Sequence, residues 1–173
     1  SDSESQESTE LLKTIGDFER ISDHAVNVLE SAEELQSKGL SFSPAAMAEY
    51  ETLARAIREI LHLSLDGFRQ NDAARAARVE PLEQVIDKLK EEMRTRHILR
   101  MRQGQCSIEA GFVWADLLTD LERTSDHCSN IAVAMIELES DSFDTHEYLN
   151  SVKAMKSASF ARYSAEYQKK YTL

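Results

Sequence analysis

An eleven-residue pattern that occurs twice constrains this chain more than any other feature of the sequence. The first copy, in residues 17–27, reads DFERISDHAVN, and the second, in residues 120–130, reads DLERTSDHCSN. Seven of the eleven aligned positions are identical, and the two copies are 103 residues apart. A pattern repeated at this distance indicates a repeated structural unit rather than a chance run of charge.

Both copies lie in stretches whose apolar residues recur with the period of an amphipathic helix. At about 100° per residue, Glu122 falls within the apolar arc of the second stretch and Asp126 lies about 40° beyond it. In the first stretch Glu19 falls within the arc and Asp23 lies at its edge. Each copy is therefore predicted to place one carboxylate on a buried stripe and a second one turn along. The first arc consists of Leu12, Ile15, Phe18, Ala25, Val26 and Leu29.

The other repeated polar residues are predicted on the far side of the helix. Asp120, Arg123 and His127 fall opposite the apolar arc, which predicts that they face solvent. Each histidine follows an aspartate by one residue and so points about 100° away from it. Such residues suit solvent contact or the orientation of a ligand better than direct coordination. The candidates for this supporting role are His24, His127, Asn27 and Asn130.

A carboxylate on a buried stripe needs a partner. Burying an unpaired charge is costly, so such groups are protonated, paired with a cation, or bound to a metal. A third acid pair, Glu83 and Asp87, lies beside apolar residues of another predicted helix, in a highly charged segment. The alternative for all these pairs is an ordinary charged helix edge, neutralised by arginines of a neighbouring helix.

The charge balance restricts the classes of partner. The chain carries 31 acidic and 20 basic residues, a formal charge of −11, which disfavours nucleic acid and anionic membrane surfaces and is compatible with multivalent cations. Cys106 and Cys128 are the only cysteines, both predicted within helices, which fits a reducing compartment rather than a disulfide scaffold. No apolar run approaches the roughly 20 residues of a membrane span, and no signal peptide is expected, so direct membrane insertion is not predicted.

Five glycines, two prolines and the absence of alternating strand patterns predict an all-α protein. Ser43 and Pro44 have the order of an N-cap followed by the first helical residue, and Gly39 suits the end of the preceding helix. Short connections favour an antiparallel bundle of four long helices, followed by one or two short helices and preceded by a frayed start. The long helices are predicted over about residues 8–36, 44–69, 73–101 and 107–139.

The doubled motif resembles that of the PhoU family. That family carries an E-R-x-x-D-H-like signature on the third helix of each of two tandem three-helix bundles, which corresponds here to residues 19–24 and 122–127. Glu83 and Asp87 resemble the E-x-x-x-D of the family's middle helix. The wording of both motifs and the tail at residues 143–149 are closer to the cytoplasmic PhoU-like region at the C-terminus of bacterial sodium/phosphate cotransporters.

The resemblance also implies a division of the chain. A full family member has two helices before its first motif helix, whereas only about ten residues precede it here. Residues 1–40 are therefore expected to be the motif helix of a truncated first bundle, with its other helices upstream. Residues 41–140 are expected to form a complete second three-helix bundle, and residues 141–173 a C-terminal helical tail.

The resemblance further implies a function. It suggests a non-catalytic regulatory module that binds clusters of metal ions through its carboxylates and controls phosphate uptake at the cytoplasmic face of the cell membrane. Oxygen ligands of this kind suit Mg, Ca, Mn, Fe and also Zn. The implied partner is a phosphate transporter or the membrane portion of the same chain, and a homo-oligomer is left open. The expected metal ligands are Glu83, Asp87, Glu122, Asp126, Glu19 and Asp23.

Two alternatives use the same residues differently. A carboxylate-bridged metallohydrolase would act on water or phosphate at the same acids, although the sequence lacks a nucleophile or a histidine-rich set that favours it. A metal-free helical interaction bundle would use the acid pairs only as charged helix edges.

Overall fold

The computed structural model describes the backbone of residues 2–140 and 146–173, and the side chains of residues 4, 5, 7–138 and 157–173. Over these residues the chain forms helices and no strand, which confirms the all-α class. No helix in this described part combines the length and the apolar character needed to cross a membrane. The helices are α1 (Asp2–Ser37), α2 (Pro44–Gln70), α3 (Ala73–Arg102), α4 (Ile108–Ser140) and α5 (His146–Lys170).

The helix ends follow from local side-chain chemistry. The Ser43 hydroxyl accepts a hydrogen bond from the backbone N–H of Ala46, and Pro44 opens α2, as the sequence predicts. Asn71 ends α2 in the left-handed region, at φ 51°, and Asp72 caps α3 through its side chain. The connection between these two helices is therefore only two residues long, which holds α2 and α3 in an antiparallel hairpin.

Helices α2, α3 and α4 pack on one another as a three-helix bundle, and α5 packs against α3. Their shared core consists of side chains that solvent scarcely reaches. Helix α1 lies along α4, and the ring of Phe18 also meets Phe68 of α2 edge-on, with centroids 5.2 Å apart. The largest fully buried core residues include Leu53, Ile60, Leu82, Ile86, Met93, Trp114 and Leu118.

Three predictions about the elements are wrong. Helix α1 already begins at Asp2, where a frayed segment was expected. The C-terminal segment forms one helix of 25 residues rather than one or two short ones, because the Tyr167 and Tyr171 side chains are buried on the bundle and extend its ordered length. Cys106 lies in the turn between α3 and α4 and not in a helix. The expected linker at residues 141–143 and the cap at Asp144 lie outside the described residues.

Helix α1 is turned the opposite way from the prediction. Apart from Phe18, its expected buried arc faces solvent: Leu12 is 69% exposed, Ile15 54% and Leu29 59%. The face that meets α4 instead includes Thr14, which is 2% exposed, and Ser31, which is 8% exposed. The polar motif residues on this face hydrogen-bond across to α4, and these bonds favour its burial over that of the apolar stripe.

Candidate functional site

A cleft of about 780 Å³ opens where α1, α3 and α4 meet. It brings together three of the six predicted ligands, Asp23, Glu83 and Asp126, although they come from three different helices. The remaining lining residues are polar members of the two motif copies. They are Arg20, His24, Arg123, His127, Ser129 and Asn130.

Glu83 and Asp126 form a pair of carboxyl groups across α3 and α4. Burial raises the pKa of Glu83 to about 7, and the negative charges of Asp126 and Asp87 add to this effect. A protonated Glu83 can donate a hydrogen bond to Asp126 in this arrangement. Asp126, the second acid of the α4 motif, thus acts directly on Glu83 of α3, and these two expected ligands lie together.

Glu122 has a cationic partner instead. The Lys90 ammonium donates a hydrogen bond to Glu122 Oε1 at 2.5 Å, and it lies 3.2 Å from Glu91 and 3.9 Å from Asp87. Burial opposes the charge on Lys90, but its bonds with Glu122 and Glu91 prevail and raise its pKa. Glu122 and Asp87 are thus linked through a buried lysine, where the sequence alternative invoked arginines.

The predicted ligands of the first motif copy are separated by the fold. Asp23 lines the cleft, whereas Glu19 is exposed on the outer face of α1 and is not among the cleft residues. The position that Glu122 holds against α3 has no counterpart at Glu19, because α1 packs along α4 and no described helix covers its outer face. The second copy is therefore the better surrounded of the two.

A metal ion could bind these carboxylates only after their side chains had moved closer together. Among the described residues, no three histidine, cysteine or acidic side chains converge as placed to hold an ion. The donor chemistry nevertheless fits a hard cation, since a cation would offset the repulsion between the carboxyl groups of Glu83 and Asp126. Lys90 would also have to release Glu122. Metal binding here stays a prediction.

The repeated aspartates serve a purpose that the sequence analysis missed. Asp120 Oδ1 lies 2.8 Å from His24 Nδ1 and accepts a hydrogen bond from Asn27 Nδ2 at 3.0 Å. Asp120 is only 9% exposed, so its predicted solvent-facing position is wrong. The helical wheel assigned it to the polar side, but that side is the one that α1 covers.

The second copy makes the same contacts in return. Asp17 Oδ1 lies 2.9 Å from His127 Nδ1 and 3.2 Å from Asn130 Nδ2. The rings of His24 and His127 stack between the helices, with centroids 5.6 Å apart. We call this reciprocal set of six residues the Asp–His–Asn clasp. It holds α1 and α4 antiparallel, and it explains why the two motif copies share these residues.

The clasp also locates the four supporting candidates. His24, Asn27, His127 and Asn130 direct their described hydrogen bonds to Asp17 and Asp120 and not to the predicted ligand carboxylates. Asp17 and Asp120 occupy the same position in the two aligned motif copies. This identity was the signal that could have singled them out. Lys90, three residues after Asp87, carried no comparable signal.

The raised pKa of Glu83 predicts a pH dependence of stability. In metal-free protein this carboxyl binds its proton more tightly when folded, at about 7, than at its ordinary value of 4.5. Its protonated form therefore stabilises the fold below that range, and this stability is lost as pH rises from about 5 to 8. Allowing for partial exposure, we expect a change of about 1–2 kcal/mol, measured by urea unfolding with a chelator present.

The matched variant is Glu83→Gln, which keeps the shape and removes the titration. We expect it to flatten the pH profile and to exceed the wild type in stability at pH 8. Identical profiles of the two proteins between pH 5 and 8 would contradict the raised pKa.

Comparison with known proteins gives one family and several relatives whose names contain that of the family. The family described as "PhoU domain" matches residues 50–135, which run from α2 to α4. The "Phosphate-specific transport system accessory protein PhoU homolog 1" of Thermotoga maritima is 26% identical over 144 residues, covering 83% of this chain and 61% of that protein.

Two further relatives carry the name "Phosphate-specific transport system accessory protein PhoU homolog". The protein of Deinococcus radiodurans is 26% identical over 125 residues, covering 70% of this chain and 56% of its own length. That of Pseudomonas putida is 30% identical over 130 residues, covering 74% and 49%. The chain thus spans about half to three-fifths of the length of these curated relatives. No solved structure matches the chain.

Proposed function

The chain belongs to the PhoU family, and from this premise we propose that it is a non-catalytic regulatory module of phosphate transport that binds metal ions. The observation that carries the proposal is the carboxyl pair of Glu83 and Asp126, held in a cleft beside the doubled motif. The names of the relatives support the link to phosphate transport, and the cleft supplies a place where binding would be sensed.

Metal binding would act on the contact between α3 and α4. A bound cation would supply positive charge that offsets the repulsion between Glu83 and Asp126, and Glu122 and Asp87 would have to leave Lys90 to reach it. Because Asp23 of α1 lines the same cleft, the position of α1 would respond to occupancy. A change at one internal site would thereby reach the surface of the molecule.

The partner follows from the family and from the wording of the motifs. We propose that the module belongs to a bacterial sodium/phosphate cotransporter, on the cytoplasmic side of the cell membrane, and contacts the transporter portion of that protein. The strongly negative charge of −11 favours a partner surface that is basic.

A regulatory role also agrees with the state of the reactive side chains. Burial raises the pKa of the Cys128 thiol to about 12, which keeps it protonated and unreactive at neutral pH. The two motif histidines are hydrogen-bonded to aspartates and stacked on each other, as parts of the clasp. No observation in the described part favours the hydrolase alternative over a binding module.

A metal-free interaction bundle is the second candidate, and one observation favours it. Lys90 already neutralises Glu122 at 2.5 Å, so this acid has a partner without any ion. If that arrangement is permanent, the acid pairs serve only to hold α3 and α4 together, and the protein would regulate its partner through surface contact alone.

Thermal melting with and without Mn, Fe or Zn separates the two candidates. We expect metal at 100- to 1,000-fold over its dissociation constant to stabilise the wild type by about 2–4 kcal/mol. Asp126→Ala should abolish most of this metal-dependent gain, because it removes a ligand from the better surrounded copy. The matched control Asp23→Ala should leave most of it, since the second acid of its motif copy, Glu19, lies outside the cleft.

Each other outcome has a distinct meaning. Equal losses in both variants would show that Asp23 and Asp126 bind the same ions across the cleft. An unchanged metal response in both would exclude these carboxylates as ligands. No response of the wild type to any metal, together with a normal fold, would establish the metal-free bundle.

A further inference from the structure

The turn between α3 and α4 gathers three soft or nitrogen donors at the end of the bundle away from the cleft. His97 and Met101 are one turn apart on α3 and therefore lie on the same face of the helix. Cys106 follows in the turn, and its Sγ lies 3.7 Å from His97 Nε2. The sequence analysis did not single out His97 and placed Cys106 in a helix, so it missed this group.

Gly111 of α4 faces two of these donors, Met101 and His97. A Cβ atom on this glycine would stand 2.5 Å from Met101 Sδ and 3.3 Å from His97 Nε2. The thioether sulfur and the ring nitrogen therefore reach into the same small space, which only a residue without a side chain leaves open. Cys106 borders that space through its contact with the same ring nitrogen.

His97 is held in a form that can act as a ligand. It is 4% exposed and stacks on Trp114, with ring centroids 5.3 Å apart. Burial, followed by the charge of Arg100, lowers the pKa of His97, so the imidazole is neutral at neutral pH. Glu49 neutralises that charge through two hydrogen bonds of 2.8 and 2.9 Å to Arg100, which reduces the repulsion of a cation nearby.

From this geometry we propose that His97, Met101 and Cys106 form a second metal site, selective for a soft ion of the Cu(I) class. Thiolate and thioether sulfur with imidazole is a donor set that suits Cu(I) and does not suit the hard cations expected in the carboxylate cleft. Two ligands at the usual metal–sulfur and metal–nitrogen distances on one ion are about 3.6–3.8 Å apart, as Cys106 and His97 are. On binding, the Cys106 thiol releases its proton to solvent and its sulfur coordinates the ion.

The test is a titration of the reduced chain with Cu(I), without oxygen, against a coloured Cu(I) chelator of known affinity. We expect one equivalent to bind. Trp114 is the only tryptophan of the chain and stacks on His97, so its fluorescence should be quenched in step with binding. This second readout reports occupancy at this turn and nowhere else in the protein.

Variants identify the ligands. Cys106→Ser should weaken Cu(I) binding at least about 100-fold and Met101→Leu about 10-fold, since the loss of a ligand exceeds the usual effect of its supporting contacts. The matched control Cys128→Ala removes the other thiol and Asp126→Asn alters the carboxylate cleft; both should bind as the wild type does. Circular dichroism and melting confirm that each variant is folded.

The proposal fails in three recognisable ways. Wild-type affinity in Cys106→Ser would exclude the thiol as a ligand. A loss in Cys128→Ala with none in Cys106→Ser would place the ion elsewhere. Binding that leaves Trp114 fluorescence unchanged would show that the ion does not bind at His97. None of these outcomes bears on the carboxylate cleft, which Asp126→Ala tests independently.

Discussion

Glu49→Leu is expected to lower the free energy of unfolding by about 3–5 kcal/mol, the usual cost of removing one partner from a buried ion pair. Glu49 of α2 is 6% exposed and Arg100 of α3 is 8% exposed, and both guanidinium NH groups donate to the carboxylate. Without Glu49, the charge of Arg100 remains buried with no carboxylate beside it. Water could solvate this charge only by entering the core, which does not readily admit it. Urea unfolding followed by circular dichroism measures the loss.

The same pair predicts a rescue. Replacing both residues, Glu49→Leu with Arg100→Met, removes the buried charge along with its partner and should recover most of the loss. Glu92→Ala is the matched control, because Glu92 pairs with Arg96 on the exposed side of the same helix, and a change within about 1 kcal/mol is expected. If Glu49→Leu alone were as stable as Glu92→Ala, solvent would have to reach Arg100 in the folded protein.

The second large effect concerns the clasp. We expect the double variant Asp17→Ala with Asp120→Ala to release α1 from α4 while the bundle of α2, α3 and α4 stays folded. Each aspartate accepts bonds from a histidine and an asparagine, and such bonds contribute about 1.5–3 kcal/mol when a charge takes part. The apolar contacts of α1 come from Phe18, Ile21 and Val28, which are only partly buried, so these bonds are expected to contribute much of its attachment.

Hydrogen exchange read by segment measures this release. Amides of α1 between residues 14 and 31 should exchange about 100-fold faster than in the wild type, whereas those of α2 and α3 should keep their protection. Asp116→Ala, which removes an exposed acid from the same helix α4, is the control and should leave α1 unchanged. Equal acceleration throughout the chain would show that α1 and the bundle unfold as one unit.

Most of the helical order was predictable from the sequence. The cap at Ser43 with Pro44, the turn at residues 71–72 and the apolar periodicity of α2, α3 and α4 specify these helices locally, and the structure has them within one or two residues. The length of α5 was not predictable from such signals. It depends on the burial of Tyr167 and Tyr171 against distant parts of the chain, which no local pattern reports.

The orientation of α1 shows where the hydrophobic pattern misleads. A wheel assigns the apolar arc to the interior because burial of apolar area is the usual driving force. Here the polar arc is the one in contact, since its residues have partners in the second motif copy, and a wheel of one helix contains no information about the other. Comparing the two copies with each other would have revealed the possible pairing of Asp17 with His127.

The candidate site was predictable in outline and not in detail. The approach of α4 to α3 through Asp126 and Glu83 follows from the two acid pairs, and the structure has it. The insertion of Lys90 between Glu122 and Asp87 does not follow, because lysine side chains are long and their direction is decided by tertiary packing. The group at His97 and Cys106 requires the path of a turn that sequence does not specify.

The clasp has a consequence for how the chain is made. Its bonds join residues that are 93 to 113 positions apart, so α1 leaves the ribosome long before its partner helix exists. At usual elongation rates the first helix waits roughly 5–20 s for the second motif copy. Until then the motif face of α1, with Asp17, His24 and Asn27, lacks the partners that the second copy supplies. The clasp can therefore close only after α4 has been synthesised, when most of the chain is already made.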